Sequence, residues 1–330
     1  IPDAVCGRTS WCQLFSEPGA GSDLAGLTTK AVRDGDVWMI EGQKVWTSGG
    51  DLADMGMLLA RTDPTAPKHR GISWFAFDMG QPGRVEVRPL KEMTGRSYFS
   101  EVFLTRAEVG DDAQIGELHT GWAVANTTLF FERSSPEGTG GPTARAGTIA
   151  GDLDRRAGDL VARPGSTGPS RERPLAQVLV DLASELGANE DPVVRQHLAR
   201  AHILAEVARL NDQRGKAARA RGGEVAGLPN IAKLLAGELV RTQRDIGMQL
   251  IGPRGTLHAY GDDERSEVAE ATWGWMARRV TEHALSAQAL PIYGGTDQIQ
   301  KNILGERVLG LPKEPGNISK VPFNELPRNG

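Results

Sequence analysis

Three short stretches carry residue types that chemistry needs. The densest is SEPGAGSDLAG, Ser16 to Gly26, whose small residues would let backbone amides approach a flat cofactor or its phosphates; Ser16 and Ser22 add hydroxyls. Gly19, Gly21 and Gly26 miss the G-x-G-x-x-G spacing, and no strand–helix–strand unit surrounds them, so a Rossmann reading is rejected. The second stretch, GQKVWTSGG, sets the flat wall of Trp46 beside the hydroxyls of Thr47 and Ser48. The third, IYGGTDQIQ, puts the paired glycines Gly294 and Gly295 before Thr296, which can cap a helix with Asp297 and Gln298 in its first turn. That site looks built for something, yet its glycines present no chemical group. Taken singly, the first stretch is a glycine-rich surface turn and the second an edge strand ending in a turn.

Bulk properties narrow the field. A chain of 330 residues is long enough for two domains or one large one, and its 39% hydrophobic and 24% charged residues are an ordinary globular balance. A net charge of -4 argues against a nucleic-acid binder that needs a basic face. Cys6 and Cys12 are too few for a disulfide framework or a zinc site, and His119, His197, His202 and His283 show no metal-ligand spacing, so no metal is expected. No run of about 18 apolar residues predicts a membrane span. The first residues lack the basic start and apolar core of a secretory signal, so a cytoplasmic protein is expected. They also lack an initiator methionine, as a sequence beginning inside a longer protein would.

The elements that must position these stretches differ in texture. From about Trp11 to Val109 the chain reads as short strands: DVWMIEGQKVW, MGMLLARTD, GISWFAFDM and RVEVRPL, punctuated by Gly, Asp and Pro, which suggests a compact sheet or barrel. From Gly121 the texture is helical. GWAVANTTLFFERSS predicts a helix, and a Gly/Pro/Arg-rich insertion at about 136–174 interrupts it, with one short helix in DLDRRAGDLV and no chemistry. A long helix starts with Asp191 as N-cap and Pro192 at its first position and stops at Gly222-Gly223. A second repeats Ile231, Leu235, Leu239, Ile246 and Leu250 on one face, and a third covers about Glu264 to Leu290. Such helices joined by Gly/Pro breaks read as an antiparallel bundle.

LFSEPGAGSDLAG, GQKVWTSGG and IYGGTDQIQKNILGERVLGLPKEP, in this order around a β-like segment and a helical bundle, resemble the acyl-CoA dehydrogenase family. The resemblance implies an α+β multidomain fold, a β-barrel middle domain followed by an antiparallel four-helix bundle. It places the barrel at residues 1–112, preceded by a short remnant of a missing N-terminal helical domain, the bundle at 113–315 and a tail at 316–330. It implies FAD, an acyl-CoA substrate, an electron-transfer flavoprotein as acceptor, and a homotetramer, homodimer or heteromer. By motif, Phe15, Ser16, Gly21 and Ser22 would line the flavin and thioester, with Trp46, Thr47 and Ser48 at the ring and Thr296 and Gln298 meeting the cofactor at a helix N-terminus. Relatives reach a neighbouring subunit's FAD with an arginine and a Q-x-x-G-G turn. Here Arg195, Gln249 and Gly252 are the matches, although the Arg-x-x-Phe-Gly form is absent and Pro253 replaces the second glycine.

Many members carry glutamate in Y-E-G-T, where this chain has Gly294. Some branches, including isovaleryl- and long-chain-type enzymes, carry it instead in an E-R pair on the first bundle helix, which LFFERSS matches. Glu132 is therefore the candidate base, with Arg133 beside it and the Gly294 amide left to hydrogen-bond the thioester carbonyl. The alternatives are a non-catalytic flavin-binding or structural subunit of a heteromeric dehydrogenase, an oxidase of the same fold, and a broken gene product.

Overall fold

The computed structural model describes residues 2–134, 173–313 and 320–326. The short helix expected in DLDRRAGDLV, and most of the insertion around it, lie outside the described residues. The chain divides into two compact units: residues 1–92, 97–164 and 314–330, and residues 93–96 and 165–313.

The first unit opens with a short helix, α1 (Pro2–Val5), and is built on eight strands: β1 (Trp11–Leu14), β2 (Lys30–Asp34), β3 (Val37–Ser48), β4 (Met55–Arg61), β5 (Ile72–Asp78), β6 (Val85–Leu90), β7 (Phe99–Gly110) and β8 (Gln114–Ile115). They form one mixed sheet in the order β6-β7-β3-β2-β4-β5-β8, with β1 added parallel to β4. Strict alternation along β4 and β5 explains two cores. Leu58, Ala60, Phe75 and Phe77 face one cluster, while Leu59, Ile72 and Trp74 face the other. The first cluster collects buried residues from β1 to β5 and β7, with Val85 and Val87 of β6 packed against it. That is the packing of a sheet curled around a shared interior. The β2–β3 turn is tight because Gly35, at φ +63, supplies the positive φ that a two-residue hairpin demands. Helix α2 (Gly121–Ser134) covers the second core with Ala125, Trp122, Val124 and Leu129.

The second unit is helical: α3 (Leu175–Glu185), α4 (Pro192–Ala220), α5 (Leu228–Ile251), α6 (Asp262–Ala271), α7 (Gly274–Ser286) and α8 (Asp297–Ile303), the last running into a π-turn at Leu304–Val308. Asp191 caps α4 as expected, accepting from the amides of Val193 at 2.7 Å and Val194 at 3.4 Å. The core joins α3, α4, α5 and α7 through Val178, Leu179, Leu182, Ala201, Ile246 and Val280. At Gly247 the helices approach so closely that a Cβ would sit 2.6 Å from Val280 Cγ1.

Two expectations for this unit are corrected, and one further helix is added. The predicted third helix is two, α6 and α7, because Gly274 takes φ +60 and the Thr272 hydroxyl bonds back to the Val268 carbonyl at 2.8 Å. Helix α3 was not anticipated, its start being hidden by the Arg/Pro-rich stretch before it. Of the predicted α5 stripe only Ile246 is buried, Leu235, Leu239 and Leu250 are half-buried and Ile231 is 37% exposed; Gly237, Gln243 and Gly247 share the inward positions.

Candidate functional site

In the first unit the two motifs singled out by sequence are joined by an ion pair. Lys44 of β3, fully buried, donates to Glu17 Oε1 at 2.9 Å and to the Phe15 carbonyl at 3.1 Å. Glu17 also accepts from the Thr28 amide and hydroxyl, both at 2.7 Å, and from the Thr29 amide at 2.9 Å. Burial opposes its ionisation, but the Lys44 charge and these hydrogen bonds overcome it and hold the carboxyl at about 2. Burial acts on Lys44 too, lowering its pKa against the pull of Glu17. Arg61 closes the far side of the loop, donating to the carbonyls of Ala25 at 2.6 Å and Leu27 at 3.2 Å. Sequence reasoning passed over all three charges. The available signal was a lysine in phase with the inward residues Trp38 and Ile40.

On this frame the expected residues separate. Gly21, Ser22 and Ser48 are exposed, and Ser16 is half-buried with its carbonyl accepting from the Val45 amide at 2.9 Å. The Phe15 side chain is buried in the core, so backbone is what Phe15 can offer a ligand. Trp46 lies in a β-bulge, where β3 carries one residue more than β7 between the pairs Lys44–Val102 and Thr47–Ser100. It takes φ +60, a strained conformation for a bulky residue, and its indole is 60% exposed with an edge contact to Phe99. Thr47 points the other way, wholly buried, its hydroxyl without a hydrogen-bond partner. A flat ring held outward by a strained backbone beside an exposed serine hydroxyl suits a planar cofactor such as FAD.

Glu132 is half-buried near the C-terminal end of α2, and Gln13 Nε2 of β1 donates to its Oε2 at 3.4 Å. The acid is thus tied to the strand that runs directly into Phe15 and Ser16. Arg133 follows it on the helix.

In the second unit Gly294 and Gly295 both take positive φ, +62 and +84. Thr296 caps α8, its hydroxyl accepting from the Ile299 amide at 3.2 Å, and Gln298 is exposed in the first turn. A Cβ on Gly294 would meet only Lys233 Cε, at 3.5 Å. Lys233 donates to the Leu290 carbonyl and lies 5.4 Å from the Tyr293 ring centre; its pKa is lowered by burial, against the pull of Asp297. Elsewhere in the unit, Gln249 lines a cleft of about 330 Å³ with His197, Arg200, Arg241 and Arg244, and its Oε1 lies 2.9 Å from His197 Nδ1. Gly252 ends α5 at φ +55, while Arg195 is exposed and donates to the Asn189 carbonyl at 3.4 Å.

Residues 12–107 match the acyl-CoA dehydrogenase middle-domain model, and residues 177–309 match the C-terminal-domain model. Acyl-CoA dehydrogenase IpdE1 of Mycobacterium tuberculosis (strain ATCC 25618 / H37Rv) is 36% identical over 307 residues, 92% of this chain and 67% of that protein. The chain belongs to the acyl-CoA dehydrogenase family. Acyl-CoA dehydrogenase FadE34 of the same organism is 38% identical across 95% of the chain, which spans only 37% of that longer protein. Among solved structures, the ChsE4-ChsE5 complex from Mycobacterium tuberculosis superposes with a TM-score of 0.71 at 26% identity, covering 95% of this chain and 72% of that one. A protein described as the Tcur3481-Tcur3483 steroid ACAD gives the same TM-score, 0.71, and the same identity, 26%, over 95% and 71% of the two chains. Acyl-CoA dehydrogenases use FAD, and among the described residues no helix is long and apolar enough to cross a membrane and no metal-binding cluster occurs.

Proposed function

We propose that this chain catalyses the α,β-dehydrogenation of an acyl-CoA thioester to the trans-2-enoyl-CoA. The observation that carries the reading is Glu132, half-buried at the end of α2 and held by Gln13 on the strand leading into the Ser16–Ser22 loop. Bound FAD supplies the hydride acceptor for the β carbon. Glu132 takes the α-proton as the Cα–H electron pair becomes the new double bond, so substrate loses one proton and one hydride. The Gly294 amide donates to the thioester carbonyl and stabilises the negative charge that develops there. Trp46 and Ser48 would hold the ring of the cofactor and the amides around Gly21 and Ser22 would be open to it; Gln298, exposed in the first turn of α8, is a further candidate to hold it. Thr296 contributes through backbone, its hydroxyl being committed to the helix cap. Gln249, Gly252 and Arg195 serve a phosphate-bearing group, in the manner of relatives that complete a neighbouring subunit's cofactor site. Electrons leave for an electron-transfer flavoprotein.

A second reading draws on the relatives. FadE34 is far longer than this chain, and the ChsE4-ChsE5 structure is a complex of two named chains. The chain then works as one subunit of a heteromer. Anaerobic titration of the purified yellow protein with straight-chain, branched and polycyclic acyl-CoAs tests the catalytic reading. Loss of the oxidised-flavin absorbance with at least one class is expected. A protein that is colourless and takes up no FAD overturns it.

A further inference from the structure

Two successive glycines are the least constrained dipeptide a backbone can carry, because each visits left- and right-handed conformations with similar ease. Gly294 and Gly295 are nevertheless both held left-handed. The group that holds them is Gln300 of α8, whose side chain is fully buried. Its Nε2 donates to the Gly294 carbonyl at 3.0 Å and to the Gly295 carbonyl at 3.2 Å, so both hydrogens of one amide close on consecutive peptides. Its Oε1 accepts from Asn230 Nδ2 of α5 at 2.6 Å. That last bond sets the direction of the amide, since a reversed Gln300 would aim its oxygen at two carbonyl oxygens. Gly295 has to be a glycine for the same reason: a Cβ there would lie 2.6 Å from Gln300 Nε2.

Other residues on the same face of α5 grip the segment on either side. Lys233, three residues on from Asn230, donates to the Leu290 carbonyl, and Arg241 pairs with Asp297 at 2.9 Å. Between them stands Gly237, where a Cβ would be 3.3 Å from Asp297 Oδ1. The turn is thus clamped before, within and after the paired glycines.

We propose that Gln300, oriented by Asn230, is the positioning residue that fixes the Gly294 amide for the thioester carbonyl. This rests on the dehydrogenase reading above and adds to it the part that makes a flexible turn into a fixed donor. Without Gln300 the carbonyls of Gly294 and Gly295 lose the donor that holds them from within the turn, and the glycine torsions that aim the amide at 294 loosen even though the flanking grips remain. A donor displaced by about an ångström loses most of its hold on developing charge.

The test uses two ligands on the flavin-loaded protein: a 2-enoyl-CoA thioester, and an S-alkyl-CoA thioether of matched chain that lacks the carbonyl. Gln300→Met keeps length and removes both donors, and Asn230→Asp sets an acceptor against Gln300 Oε1. For both variants the thioether should bind within about twofold of the unaltered protein, while the thioester weakens roughly tenfold, the loss of one neutral hydrogen bond. With acyl-CoA substrate, kcat should fall roughly 10²-fold, the cost of one lost oxyanion donor. Equal weakening of both ligands, or of neither, overturns the proposal, because a purely structural glutamine would not discriminate a carbonyl. If Gln300→Met fails to fold, Asn230→Asp carries the test by itself. Failure of the underlying reading looks different: the unaltered protein then binds neither ligand, and the proposal falls with it.

Discussion

Replacing Lys44 with methionine removes the cation from the buried pair and leaves Glu17 facing only the Thr28 amide and hydroxyl and the Thr29 amide. An ordinary glutamate sits at 4.5 and Glu17 at about 2, so the fold favours its ionised form by roughly 3 kcal/mol at neutral pH. A carboxyl lowered in the folded state stabilises above the unfolded value, and the contribution is lost as pH falls from 4.5 to about 2. The lowered pKa of Lys44 offsets part of that gain. Truncating one partner, however, strands a buried charge, which costs about 3–5 kcal/mol. Lys44→Met should therefore lose about 3–5 kcal/mol at pH 7, measured by urea unfolding with tryptophan fluorescence. The deficit should shrink toward pH 3 as Glu17 of the variant takes up a proton, and Glu17→Gln in the same chain should recover part of it. A Lys44→Met protein within 1 kcal/mol of the unaltered one at pH 7 would refute this reasoning.

Gly294→Ala meets only Lys233 Cε, at 3.5 Å, so its cost should be the backbone strain of φ +62, about 1–2 kcal/mol in chemical denaturation. Gly295→Ala, whose Cβ would fall 2.6 Å from Gln300 Nε2, should cost more than Gly294→Ala in the same assay. Asp191→Ala removes the cap of α4 and should cost about 1 kcal/mol, with faster amide exchange at Val193 and Val194 than elsewhere in the helix. His69 is pulled below 6.5, chiefly by burial and then by Lys68, so its NMR titration midpoint should lie below that of a free histidine. Since the unfolded chain takes up that proton first, His69 makes the fold less stable as pH falls through 6.5.

What the sequence made legible followed period and punctuation. The strands β3, β4 and β5 contain short apolar runs punctuated by Gly, Asp and Pro, and Asp191-Pro192 is a local cap signal, so both could be read from a few neighbouring residues. The motifs at Ser16–Gly26, Gly42–Gly50 and Tyr293–Gln298 were legible as stretches. Which side chains of Gly42–Gly50 point outward was not, because a one-residue bulge decides it: Trp46 turns outward and Thr47 inward where β3 gains a residue on β7. Partnerships across long separations were equally hidden. Lys44 meets Glu17 across 27 positions and Asn230 meets Gln300 across 70, and no local pattern announces either. The α6–α7 break was missed because the helical period continues through Thr272 and Gly274, and only the backbone shows the interruption.

The most direct measurement compares unaltered protein with Glu132→Gln, both loaded with FAD, mixed anaerobically with an acyl-CoA that bleaches the unaltered flavin. If Glu132 is the base, the amide variant should bind the acyl-CoA with a flavin spectral shift yet reduce the flavin at least 10²-fold more slowly, the lower end of the ordinary range for a general base. Bleaching of the variant at the rate of the unaltered protein would contradict that assignment and leave Glu132 as a charged bystander on α2.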